Sequence, residues 1–130
     1  MKSFSLFVSS PPTLSHQCAD ALLFAKQVIQ SGHQLRQVFF YSEAVTIAMT
    51  QHQANNSTFN LHKEWKEFAE EQALILKVCV TASLKRGVLG SHEAEYADQV
   101  SNLSTPFEQV GMADYFAVLK DEPDTISVQF

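Results

Sequence analysis

The chain has 130 residues, with 9 Lys+Arg against 14 Asp+Glu for a formal net charge of -5, and only 18% of its residues are charged. That length buries roughly two thirds of the unfolded surface and supports one core, so residues 1–130 are expected to form a single domain that needs neither disulfide nor metal to hold together. The acidic balance argues against direct nucleic-acid binding, which normally needs a basic excess, and 11% aromatics at low charge density excludes a disordered chain.

Phe4 to Val8 reads as a short strand, closed by Ser9-Ser10-Pro11-Pro12-Thr13 because two prolines cannot continue a central ladder. Ser15 is placed to cap a helix in which Cys18, Ala21, Leu22, Ala25, Val28 and Ile29 recur at three- and four-residue steps, with Ser31-Gly32 as its stop. Leu35 to Tyr41 is a second strand, and Ser42 to Met49 suits a short helix. Gln51 to Thr58 is polar and aperiodic, the longest loop. Asn60 caps the next helix, with Leu61, Trp65 and Phe68 inward and Lys63, Glu64, Lys66, Glu67, Glu70 and Glu71 on the water side.

Leu74 to Val80 is nearly continuous in apolar residues, as in a parallel strand covered on both faces. A helical turn or two follows from Thr81 to Arg86, ended by Gly87, with a second short helix from Ser91. Thr105-Pro106-Phe107-Glu108 carries the signature of a capping box with Pro at the first helical position, predicting a helix from there to about Leu119. Thr125 to Phe130 then alternates as a half-covered strand. Strands alternating with helices predict an α/β fold with a mainly parallel sheet between helical layers.

Met1 to Ser9 has one Lys and too short an apolar stretch for a signal peptide, and no apolar run approaches the roughly 20 residues of a membrane span. Two cysteines do not make a disulfide framework. A cytoplasmic protein without membrane contact is the expectation.

In an open parallel sheet, reactive groups gather beyond the carboxyl ends of the strands. Cys79 stands at such an end, before a helical segment whose first turn would offer N–H groups to a thiolate, with Lys85 and Arg86 close behind. A small buried hydrophobe is the competing reading of Cys79. Strand alternation puts Lys77 on the same face as Cys79, either snorkelling to the sheet margin or stabilising the thiol anion. Cys18 falls on an apolar helix face, where packing explains it, and a resolving role through a transient disulfide with Cys79 is the alternative.

Other chemistries fail on spacing. An anion loop of the phosphatase or rhodanese type needs Arg six residues after the Cys and Gly between, whereas Lys85 holds that position and Thr81-Ala82-Ser83-Leu84 has no Gly. Ser9, Ser10, Thr13 and Ser15 resemble a flavin-phosphate loop, but Pro11 and Pro12 remove two donors and there is no GxGxxG. The five histidines, His16, His33, His52, His62 and His92, show no ligand spacing, so neither metal nor organic cofactor is expected. His16 alone is placed near the reactive edge, where it is either a proton-transfer aid or simply solvated.

Gly32-His33 followed by Val38-Phe39-Phe40-Tyr41, Trp65, Val78-Cys79-Val80 with Ala82, Leu84 and Arg86-Gly87-Val88, Ser101-Asn102-Leu103, and Val128-Gln129-Phe130 together resemble the DsrE-type sulfurtransferases along the whole chain. The resemblance implies a three-layer α/β/α domain with about five strands and a single catalytic residue, Cys79, that carries sulfane sulfur as a persulfide. It also implies TusB- and TusC-like partner subunits in a heterohexamer, a TusA-like donor and a TusE-like acceptor, in the service of tRNA wobble 2-thiouridine synthesis without contact with the tRNA itself. Two alternatives stay open: a non-catalytic interaction subunit of such a complex, and a DsrE-type sulfur carrier in sulfur oxidation. Ser9-Ser10-Pro11-Pro12 departs from the Gly-Pro turn expected after the first strand, and Cys18 matches no functional position of the family.

Overall fold

The computed structural model describes residues 1–13, 16–56 and 59–130. In chain order these form β1 (Ser3–Val8), α1 (Gln17–Gln30), β2 (Gln34–Phe40), two 3-10 turns (Ser42–Ala48 and Thr50–Ala54), α2 (Leu61–Glu71), β3 (Leu76–Cys79), α3 (Val80–Lys85), α4 (Ser91–Tyr96), β4 (Phe107–Val110), α5 (Met112–Asp121) and β5 (Ile126–Gln129). The five strands make one sheet in the order β4-β3-β2-β1-β5, and every neighbouring pair is parallel.

That order dictates the layers. The connections from β1 through β2 and β3 to β4 all step the same way across the sheet, while α5 steps back from β4 to β5 at the far edge. Right-handed crossovers therefore put α1 and α2 on one face and α5 on the other. Side chains agree: Phe40 meets Trp65 of α2 edge-on at 5.2 Å, whereas Phe7 and Phe39, of opposite strand parity, meet Tyr115 of α5 at 5.1 and 5.3 Å. The core on the first face comprises Leu6, Val8, Val38, Phe40, Leu76 and Val78 under Cys18, Ala21, Leu22, Ala25, Trp65 and Phe68, all buried.

The α5 face holds a polar cluster inside this apolar frame. Gln37 is fully buried; its Nε2 donates to Ser5 Oγ at 2.9 Å and to the Tyr115 carbonyl at 3.1 Å, and its Oε1 accepts from Lys77 Nζ at 3.2 Å. Lys77 also pairs with Asp114 of α5. Each partner satisfies the next, which is the condition for keeping such groups out of water.

Local chemistry sets several boundaries as expected. The Asn60 side chain accepts from Lys63 N at 3.2 Å and caps α2. Gly32 and Gly87, at φ +78° and +74°, close α1 and α3 in the left-handed conformation, and the next residue in each case bonds back: His33 N–H to Val28 O at 3.0 Å and Val88 N–H to Ser83 O at 2.9 Å. Ser15, expected as the cap of α1, lies outside the described residues.

Three expectations are corrected. The capping-box segment is not a helix start: Phe107–Val110 is β4, in register with Leu76 to Cys79, and α5 begins only at Met112. Phe107 is buried against Phe40 and His62, so pairing with β3 outweighs a cap that satisfies only local donors. The third strand is shorter than Leu74 to Val80, because the Leu74 N–H closes α2 onto Ala69 O at 2.8 Å and Val80 already opens α3. Ser42–Ala48 is the short helix expected there, of the 3-10 kind. Thr50–Ala54, within the expected loop, is a second such turn, while Ser57 and Thr58 lie outside the described residues.

Candidate active site

Cys79 is the last residue of β3, paired in register with Val110 of β4, and its extended backbone (φ -63°, ψ 123°) turns directly into α3. The position at the carboxyl edge of an internal strand is therefore as expected. The helix behind it has six residues, within the expected turn or two, but its first turn makes no bond to the thiol, and Cys79 is only 3% exposed, as the competing reading expected.

Lys77, which shares the strand face of Cys79, is held by Gln37 and Asp114, so its charge is spent across β2 toward α5. Arg86 is likewise committed. Its Nε and Nη2 both donate to Glu43 Oε1, at 3.0 and 2.8 Å, and its Nη1 donates to the Ala82 carbonyl at 3.1 Å. This fork ties the last turn of α3 to the Ser42–Ala48 turn that follows β2. Lys85 is exposed.

A second tie comes from Asn102. Its Oδ1 accepts from Leu89 N and its Nδ2 donates to the Gly87 carbonyl, both at 2.7 Å, while Gln109 Nε2 of β4 donates to Val88 O at 3.0 Å. The segment behind α3 is thus clamped from three sides, by Glu43, Asn102 and Gln109. Asn102 serves the site as scaffold.

Cys18 is the contrasting thiol. It is 0% exposed, it lies where Trp65 Nε1 donates to its own backbone carbonyl at 3.2 Å, and burial pushes its thiol up to about 12. The packing reading of Cys18 stands. His16, at the start of α1, is exposed.

Two groups escaped the sequence reading. His62 is 2% exposed, sandwiched between His52 at 5.5 Å and Phe107 at 5.6 Å, with its Nδ1 donating to Ile47 O at 2.6 Å. Its place three residues before Trp65 and seven before Ala69, on the buried stripe of α2, was the available signal. The other is Ser83, one helical turn after Cys79 and fully buried. Among the described residues, no group of three or more His, Cys, Asp or Glu side chains could hold a metal ion, and no helix is long and apolar enough to cross a membrane.

A parallel five-stranded sheet with a cysteine at the carboxyl edge of an internal strand defines the class, and comparison with known proteins gives it a family. The DsrE/DsrF-like family model matches residues 2–124, and the chain belongs to that family. It is 34% identical to the "Sulfurtransferase TusD homolog" of Vibrio cholerae over 121 residues, 92% of each chain. It is 36% identical to the "Sulfurtransferase TusD" of Yersinia pestis over 110 residues, 84% of each chain. With these relatives it is a sulfurtransferase. The crystal structure of the ychN protein from E. coli superposes with a TM-score of 0.74 over 98% of this chain and 100% of that one at 19% identity, a likeness of fold.

Proposed function

We propose that the chain is the persulfide-carrying subunit of a sulfur relay and that Cys79 carries the sulfur. The observation that supports this most is the coincidence of the TusD relationship with a thiol at the β3–α3 junction, where parallel sheets present their chemistry. The Cys79 thiolate attacks the outer sulfur of a donor persulfide; a new S–S bond forms, the donor's S–S bond breaks, and the electron pair leaves on the donor thiolate. An acceptor thiolate then attacks the outer sulfur in turn and returns Cys79 as a thiolate. Both steps are redox-neutral and need no cofactor.

In this proposal the donor is TusA-like and the acceptor TusE-like, the chain works beside TusB- and TusC-like subunits in a heterohexamer, and the sulfur ends in the wobble 2-thiouridine of tRNA. The low charge fraction suits a subunit covered by protein partners, since interface cores are poor in charged residues. The setting in the proposal is the cytoplasm.

The burial of Cys79 favours a second reading, a non-catalytic interaction subunit. Intact-protein and peptide mass spectrometry after incubation with a small persulfide donor separates the two. The relay role predicts one added sulfur on Cys79, none on Cys18, and none in Cys79→Ser with the fold unchanged. Sulfur on the Ser variant, or no loading of the native chain alone or with its co-purifying partners, sinks the assignment.

A further inference from the structure

Ser83 stands four residues after Cys79 on α3 and is 0% exposed, yet its hydroxyl has no hydrogen-bond partner among the described residues. A serine inside a helix commonly satisfies itself on the carbonyl four residues back, which here is that of Cys79, and Ser83 does not do so. Its carbonyl is used twice, accepting from Arg86 N at 3.0 Å and from Val88 N at 2.9 Å. The hydroxyl has no such use.

Helical side chains lean toward the N-terminus of their helix, and residues four apart lie on one side. Ser83 therefore shares the side of α3 on which Cys79, the residue just before the helix, stands, without a hydrogen bond to the Cys79 sulfur in this structure. An unpaired buried hydroxyl lowers stability, so the position is costly unless something arrives to accept its proton. The group that changes at this place is the sulfur of Cys79. As a neutral thiol it makes a poor acceptor; as a thiolate it carries a full charge, and as a persulfide it reaches about 2 Å further.

We infer that Ser83 is a sulfur-binding residue, whose hydroxyl donates to the anionic sulfur carried on Cys79 and so holds the charged state of the carrier. This rests on the persulfide role proposed for Cys79 and adds a second residue to it. The clamp by Glu43, Asn102 and Gln109 then has a direct use, since it fixes the helix on which the donor is mounted.

The test compares the full-length wild type with Ser83→Ala and Ser83→Thr, following Cys79 alone by peptide mass spectrometry. Two rates are read: native alkylation by iodoacetamide at pH 7 and at alkaline pH, and loss of sulfur from Cys79 after loading with glutathione persulfide. Ser83→Ala is expected to alkylate about tenfold more slowly at pH 7 but equally fast at alkaline pH, and to lose its sulfur about tenfold faster, while melting no lower than wild type. Ser83→Thr keeps the hydroxyl and stays close to wild type. Equal alkylation profiles for Ser83→Ala and wild type overturn the assignment, and so does a Thr variant that melts like wild type but behaves like Ala. If wild-type Cys79 takes up no sulfur at all, the relay role falls, and the alkylation profiles still decide the role of Ser83.

Discussion

Arg86 and Glu43 join two segments that leave the carboxyl edge of the sheet separately, one after β3 and one after β2, through two donors converging on a single carboxylate oxygen at 2.8 and 3.0 Å. The ion pair is partly exposed, 25% for the Arg side chain and 56% for Glu, so its direct contribution to stability is about 1 kcal/mol or less. Its mechanical effect is larger. Arg86→Ala is expected to leave global unfolding in urea nearly unchanged while native alkylation of Cys79 rises several-fold, because the α3 turn opens more often. An unchanged alkylation rate would show that the clamp does not control access to the thiol.

Asn102 gives a stability prediction. Its amide satisfies one backbone donor and one backbone acceptor at 2.7 Å each, and it is nearly buried. Asn102→Ala strands the Leu89 N–H and the Gly87 carbonyl, at a cost of about 2 kcal/mol in equilibrium denaturation. Asn102→Asp keeps the acceptor but not the donor, and its loss should fall between wild type and Ala.

His62 predicts a pH dependence. Burial holds its imidazole below the usual 6.5, helped by the positive charges of His52 and Lys66 and opposed by the bond to the Ile47 carbonyl. The folded state thus prefers the neutral ring. The unfolded chain takes up the proton first as pH falls through about 6.5, so stability present above that value is lost progressively down to the lower folded value. The melting temperature should drop across this interval, and less so in His62→Asn, which retains a donor for Ile47 but does not titrate.

β1 and β2 were legible in the sequence because their apolar runs are bounded by strong breakers, Pro11-Pro12 and Ser31-Gly32, and α2 because Asn60 and a two-faced pattern announce it. β4 was not. Thr105, Pro106 and Glu108 obey every local rule for a helix start, and what overrides them is a partner strand about thirty residues away, which no window of the sequence contains. Cys79 was found from strand-end logic, and its burial was one of two open readings that the sequence could not decide between, since that depends on how α3 and the Ser42–Ala48 turn close over the edge. Ser83 was hidden for a different reason: a polar residue in a short helix reads as solvated, and only the structure shows that it faces inward.

The strand order has a consequence for how the chain assembles. β1, near the start of the chain, pairs on one side with β2 and on the other with β5, which is reached only after residue 125. β5 is made after the four strands from β4 to β1, and until it pairs β1 presents a bare edge of unpaired amides. Such an edge is a template for wrong pairing. β5 therefore acts as a closing strip, and the chain is most open to association with other copies while residues 126–129 are unpaired.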